Sequence, residues 1–141
     1  MNLLERKLKK NFISFLEKPA TAEEIEISES LRQFVSAYNN RNIDAFLSLF
    51  ADNAIIESKS RGGSPRLMNK KQFGISTLKA FSLVDKLFLD DIVIRVQSST
   101  EVNTNMVMVV LLKNGRIENN RFSLKFKKQN KTWMIIKNIY C

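Results

Sequence analysis

The chain has 141 residues, 44% of them apolar, a size that closes one hydrophobic core without disulfide or metal staples. One cysteine and no histidine exclude a disulfide framework, the commonest metal ligand and the usual proton shuttle of neutral pH. The net charge of +9 is uneven: residues 1–18 carry five basic and two acidic groups, 19–60 three and seven, and 61–141 fifteen and five.

A basic C-terminal half favours acidic partners. No run exceeds two adjacent basic residues, however, so the charge suits a solvated face and we expect no nucleic-acid partner. No apolar run reaches the ~18 residues of a membrane span, and the charges between Glu5 and Lys10 break up any secretory apolar segment. We expect no membrane partner. With Cys141 lacking a partner in sequence, we expect a reducing, cytoplasmic location.

Residues 3–16 set Leu4, Leu8, Phe12, Phe15 and Leu16 on one stripe and predict a basic amphipathic helix. Pro19 ends it, giving an N-terminal helix and linker over 1–20 and a domain over 21–141. Thr21 and Glu24 form a capping box opening a helix that buries Ile27, Leu31, Phe34, Val35 and Tyr38. Asn39-Asn40 is expected to end that helix through a left-handed asparagine. A short helix from Asn42 buries Ile43, Phe46, Leu47 and Phe50, and 54–59 is a first strand. Residues 60–68 are a loop, and Asn69 with Gln72 caps a third helix running to Phe81. The period then changes from 3.6 to 2, with strands at 86–97, 104–113, 116–127 and 132–140. Asn114-Gly115 is a tight hairpin turn and 128–131 a looser one.

Helices grouped early and a meander late predict an α+β fold, helices packed on one face of a curved sheet. The strand at 104–113 is apolar on both sides, with Met106, Met108, Val110 and Leu112 on one and Val107, Val109 and Leu111 on the other. Helices cover only one side, so we expect a homodimer through the other sheet face.

The stretch from Leu31 to Ser58, with its aromatic-bearing helix, the short helix holding Asp44, and Phe50-Ala-Asp-Asn-Ala54 entering a strand, resembles the nuclear-transport-factor-2-like superfamily. That superfamily includes SnoaL-like proteins and ketosteroid isomerases. Lys131-Thr-Trp-Met-Ile135 is similar to its last strand, and the resemblance spans about residues 25–141. It implies a cone-like curved antiparallel sheet wrapped around three helices, here with an extra N-terminal helix. The isomerases of this family use a tyrosine on the first helix, an aspartate base near the first strand and a protonated aspartate in a later strand. The matching positions here are Phe34, Ser58 and Phe122. A phenyl ring neither donates to an oxyanion nor takes a proton, and an unassisted serine is a poor base. The resemblance therefore implies a fold without that chemistry. Dehydratases and lyases of the same fold that rely on histidine are excluded as well. We expect no cofactor, and no metal site, since the carboxylates are dispersed.

Several residues remain as candidates. In the strand at 116–127, Glu118, Asn120 and Phe122 share a face, so Glu118 is either a cavity base or a solvated carboxylate beyond the sheet. Glu57 has an ambiguous facing, and Tyr38 ends the first helix's apolar stripe with its hydroxyl free to meet a ligand. In the last strand either Met134, Ile136, Asn138 and Tyr140 face the cavity or a partner, or Trp133, Ile135 and Lys137 do. Arg61 and Arg66 flank the Gly-Gly-Ser-Pro loop as an anion-binding candidate. Arg121, Lys125 and Lys127 form a stripe without the aromatic interleaving that single-stranded nucleic acid requires.

The function expected is a non-catalytic, homodimeric module binding a small apolar or acidic ligand or a protein, through Phe34, Tyr38, Asn120, Phe122, Trp133, Lys137, Asn138 and Tyr140. The alternative is a cofactor-free isomerase or lyase with Glu57 or Glu118 as base and Tyr38 or Asn138 as donor. A third reading has the N-terminal helix binding an anionic surface.

Overall fold

The computed structural model describes residues 12–58 and 64–140. Helix α1 (Ala22–Asn39) opens where expected: Thr21 Oγ1 accepts the Glu24 N–H at 3.2 Å, and Glu24 Oε1 accepts the Thr21 N–H at 2.9 Å. Its five predicted apolar residues are all buried. The chain turns back at Arg41, which holds the left-handed backbone (φ 57°) expected of an asparagine. The Arg41 guanidinium compensates by donating to the carbonyls of Asn39, Val84 and Asp85. Asn42 caps the short α2 (Ile43–Leu47), and Asn69 with Gln72 caps α3 (Lys70–Phe81) as a reciprocal box.

The helices pack against one face of a seven-stranded sheet built from β1 (Ile13–Phe15), β2 (Phe50–Ser58), β3 (Arg66–Asn69), β4 (Val84–Ser98), β5 (Glu101–Leu112), β6 (Ile117–Gln129) and β7 (Thr132–Tyr140). The order is β1-β4-β5-β6-β7-β2-β3. The meander β4 to β7 is antiparallel throughout, whereas β1 on β4 and β2 on β7 are parallel. The α+β architecture, with three helices held by a large curved sheet, is the one expected.

The core is dominated by phenylalanine. Phe34, Phe46, Phe50 and Phe73 pass from α1 through α2 and β2 to α3 with successive centroids 4.8, 5.5 and 5.3 Å apart, and Phe122 of β6 stands 5.8 Å from Phe34. Two bulges bend the sheet around these rings. At Asp91 (φ 53°), β4 gains a residue between the pairs Asp90–Val107 and Val93–Asn105. At Ile136, β7 gains one between Ile135–Phe126 and Lys137–Lys125.

The helix over 3–16 falls outside the described residues up to residue 11, but its last turn is strand, not helix. Apolar spacing there fits a helix, yet the open edge of β4 supplies backbone partners: Leu89 N–H donates to Phe12 O at 2.9 Å and Leu16 N–H to Ile92 O at 3.0 Å. Ser14 Oγ adds a bond to Asp90 at 3.1 Å, and Phe12 stacks on Phe88 at 5.1 Å. The expected loop over 60–68 ends early, since Arg66–Asn69 pairs antiparallel with β2. The turn after β6 is tight rather than loose, because Asn130 and Lys131 both take positive φ (49° and 66°), the geometry of a two-residue hairpin.

The two-sided apolarity of β5 is met in part within the chain. On the outer side Val109 is 8% exposed and its neighbour Phe88, under Phe12, is fully buried. The apolar side chains left open elsewhere on the sheet include Ile55 and Leu67, on β2 and β3. Among the described residues, no helix is long and apolar enough to cross a membrane.

Candidate functional site

Between the helices and the inner face of the sheet lies a cavity of about 240 Å³. Its walls are apolar: Phe34 of α1, Phe46 of α2, Leu87 of β4, and Met108 and Val110 of β5. Four side chains bring polar atoms to it, namely Tyr38, Glu118, Asn120 and Tyr140. Alternation along β5 and β6 places them: Met108 pairs with Asn120 and Val110 with Glu118, and Met106 starts the next row with Phe122, Tyr140 and Ser58.

The electrostatics of this space are those of a neutral site. Burial pushes the Tyr38 phenol up to about 12, partly opposed by the nearby Arg41 guanidinium. Burial also pushes Tyr140 well above the ordinary tyrosine range; the Asn138 amide partly opposes the rise, and the neighbouring Tyr38 adds to it. Both phenols stay protonated through the physiological range. Glu118 sits at the rim, its side chain 46% exposed and 3.8 Å from the Arg116 guanidinium.

Of the remaining sequence candidates, Phe122 lies behind the cavity, its ring 5.8 Å from Phe34 and 5.1 Å from Tyr140. The three positions matched to the isomerase site thus lie in one neighbourhood, since Ser58 pairs with Tyr140 beside Phe122. Asn138 is fully buried one row further into the core, between Leu124 and Ile56. The bulge at Ile136 overturns both proposed facings of the last strand. Ahead of it Trp133 and Ile135 turn inward; after it Asn138 and Tyr140 do.

Three candidates leave the site. Lys137 and Glu57 lie on the outer face and form an ion pair at 3.7 Å, so neither meets the cavity. Trp133 packs at the other end of α1, where its indole N–H donates to Glu26 Oε2 at 2.6 Å and Lys128 stands 5.4 Å over its ring. Arg66 is exposed and begins β3, and Arg61, the other half of the expected anion site, lies outside the described residues. Among the described residues, no group of three His, Cys, Asp or Glu could hold a metal ion.

The walls Leu87, Met108 and Val110 were not singled out as ligand-binding from the sequence. Their signal was present in part, because Met108 and Val110 share the parity of Met106 and Leu112. Leu87 had none, since β4 gains a residue on either side of it, between the pairs Val84–Leu112 and Lys86–Leu111 and again at Asp91, which interrupts the alternation. A second groove of about 320 Å³ runs outside the cone between α1 and β1, flanked by Arg32 and Lys86. Two of its polar groups serve the packing: Arg32 lies 5.9 Å over the Phe15 ring and Asn39 is committed to the Leu87 backbone.

No protein-family model matches the chain, and no curated protein matches it by sequence. Solved structures do match by fold. An NTF2-like protein of unknown function from Pseudomonas putida aligns over 87% of this chain and 88% of its own, at 13% identity and a TM-score of 0.72. An NTF2-like protein from Shewanella oneidensis aligns over 84% and 98%, at 17% identity and 0.69. A protein with a cystatin-like fold from Nostoc punctiforme aligns over 87% and 93%, at 13% identity and 0.68. At such identities the likeness concerns the fold alone.

Proposed function

We propose that this domain, a nuclear-transport-factor-2-like cone fold, holds a small, largely apolar molecule in its inner cavity without transforming it. The observation that carries this reading is the lining itself. Among the described residues its one carboxylate, Glu118, stands at the rim, solvated and beside Arg116, while the rest of the lining offers hydrocarbon, the neutral Asn120 amide and two protonated phenols. A general base needs reach to a substrate proton and a tuned affinity for it, and the interior supplies no such group. An apolar enclosure with few polar groups suits retention of a ligand.

Equilibrium dialysis with naphthalene as an apolar probe tests this. The full chain is expected to bind saturably, and Leu112→Trp, a substitution at a half-buried residue that also lines the cavity, is expected to weaken binding at least tenfold while keeping the wild-type circular dichroism. Equal binding by both proteins overturns the proposal. So does turnover of a small carbonyl compound that Glu118→Gln abolishes, which would favour the isomerase or lyase reading.

The proposal keeps the homodimer expected from the sequence but moves its contact. Phe88 and Val109 are covered within the chain, so the exposed Ile55 and Leu67 on β2 and β3 become the apolar centre of a contact between two copies. Sedimentation is expected to give twice the monomer mass for the wild type and the monomer mass for Ile55→Lys; a monomeric wild type overturns it.

A further inference from the structure

The inner end of the cavity says more about the ligand, given the binding role proposed above. Asn138 is fully buried, yet neither its Nδ2 nor its Oδ1 has a hydrogen-bond partner of ordinary geometry. An amide donor and acceptor both left unpaired in a core is an exception that needs a reason, because each forfeits its hydration without recompense. One row closer to the cavity on the same strand face stands Tyr140, whose hydroxyl lies near the Asn138 amide and the Tyr38 phenol. Tyr140 and Tyr38 line the cavity. No cation lines it among the described residues.

We infer that the cavity takes an apolar molecule bearing one uncharged oxygen, a hydroxyl or carbonyl, received by the Tyr140 hydroxyl with Asn138 as the positioning residue behind it. The amide equips Tyr140 for either partner. Facing a ligand hydroxyl, Tyr140 accepts its proton in a hydrogen bond and donates its own to Asn138 Oδ1. Facing a ligand carbonyl, Tyr140 donates to it while Asn138 Nδ2 donates to the phenol oxygen. In both cases one atom of Asn138 closes on the Tyr140 hydroxyl, which already stands beside it, in a hydrogen bond of ordinary geometry. An ionised ligand would enter a space that no cation lines among the described residues, the nearby Arg41 being committed to the carbonyls of Asn39, Val84 and Asp85, and the burial that keeps the two phenols protonated also penalises its charge. The acidic ligand entertained from the sequence is thereby disfavoured.

Matched probes separate this inference from the binding role it rests on. Equilibrium dialysis of the full chain at pH 7 with naphthalene, 2-naphthol and 2-naphthoate is expected to rank 2-naphthol about fivefold tighter than naphthalene, the worth of one neutral hydrogen bond, and 2-naphthoate weakest. The 2-naphthol to naphthalene ratio is expected to fall toward one in Tyr140→Phe and part of the way in Asn138→Leu. Asn138→Leu replaces an unpaired amide with a hydrocarbon of similar shape and is expected to fold. Saturable binding with equal affinity for naphthalene and 2-naphthol, unaltered in both variants, overturns the inference and leaves the binding role standing. Tightest binding of 2-naphthoate also overturns it. Failure to bind any of the three overturns the binding role and the inference together.

Discussion

Asn39 and Leu87 exchange two hydrogen bonds: the Asn39 amide donates to the Leu87 carbonyl at 3.0 Å, and the Leu87 N–H donates to Asn39 Oδ1 at 2.8 Å. The last residue of α1 thereby pairs with the backbone of β4 as a neighbouring strand would, fixing the helix over the sheet beside the cavity wall. Asn39→Ala leaves both backbone groups of a buried residue unpaired and is expected to cost about 2–4 kcal/mol in urea unfolding. Asn39→Asp keeps the acceptor and loses the donor, and is expected to fall between the two.

The opposite sign is expected at Asn138. Its two unpaired atoms are a standing cost of the ligand-free fold, of about 1–3 kcal/mol. Asn138→Leu removes that cost and is expected to raise the urea midpoint of the ligand-free protein. A lower midpoint would show that the amide is satisfied in solution, for example by a buried water.

The two tyrosines make stability depend on alkaline pH. A phenol whose pKa is raised on folding holds its proton longer in the folded chain than in the unfolded one. Stability is therefore intact below the unfolded value near 10 and lost as pH climbs toward the folded values. Each tyrosine contributes a slope of about 1.4 kcal/mol per pH unit in that window. The urea midpoint is expected to fall from pH 10 to 12, less steeply in Tyr38→Phe. Because Tyr38 and Tyr140 are the only tyrosines of the chain, tyrosinate absorbance at 295 nm, corrected for the change at Trp133 on unfolding, reads these two alone. Ionisation is expected to coincide with unfolding; a reversible native transition near pH 10 would contradict it.

At the far end of α1, Glu26 accepts from the Trp133 indole and stands 3.7 Å from the Lys128 ammonium. Half of the Glu26 side chain is exposed, so the charge is screened and Glu26→Ala is expected to cost only about 1 kcal/mol. Glu26→Gln, retaining an acceptor, is expected to cost less. Fluorescence of Trp133, the one tryptophan, follows both the local change and unfolding.

Much of this molecule is written locally. Capping boxes at Thr21 and Asn69, the apolar stripe from Ile27 to Tyr38 and the change of period after Phe81 specify three helices and a meander, because caps and amphipathic spacing act over a few residues of chain. Tertiary structure decided what depends on partners distant in sequence. Residues 13–15 became a strand because an open edge of β4 lay within reach, and Glu57 and Lys137 were turned outward by pairing between β2 and β7. The inward set of β7 changed at Ile136 because one extra residue in a ladder reverses every facing after it, and no local pattern marks where that residue falls. That reversal buried an amide behind a phenol at the end of an apolar cavity.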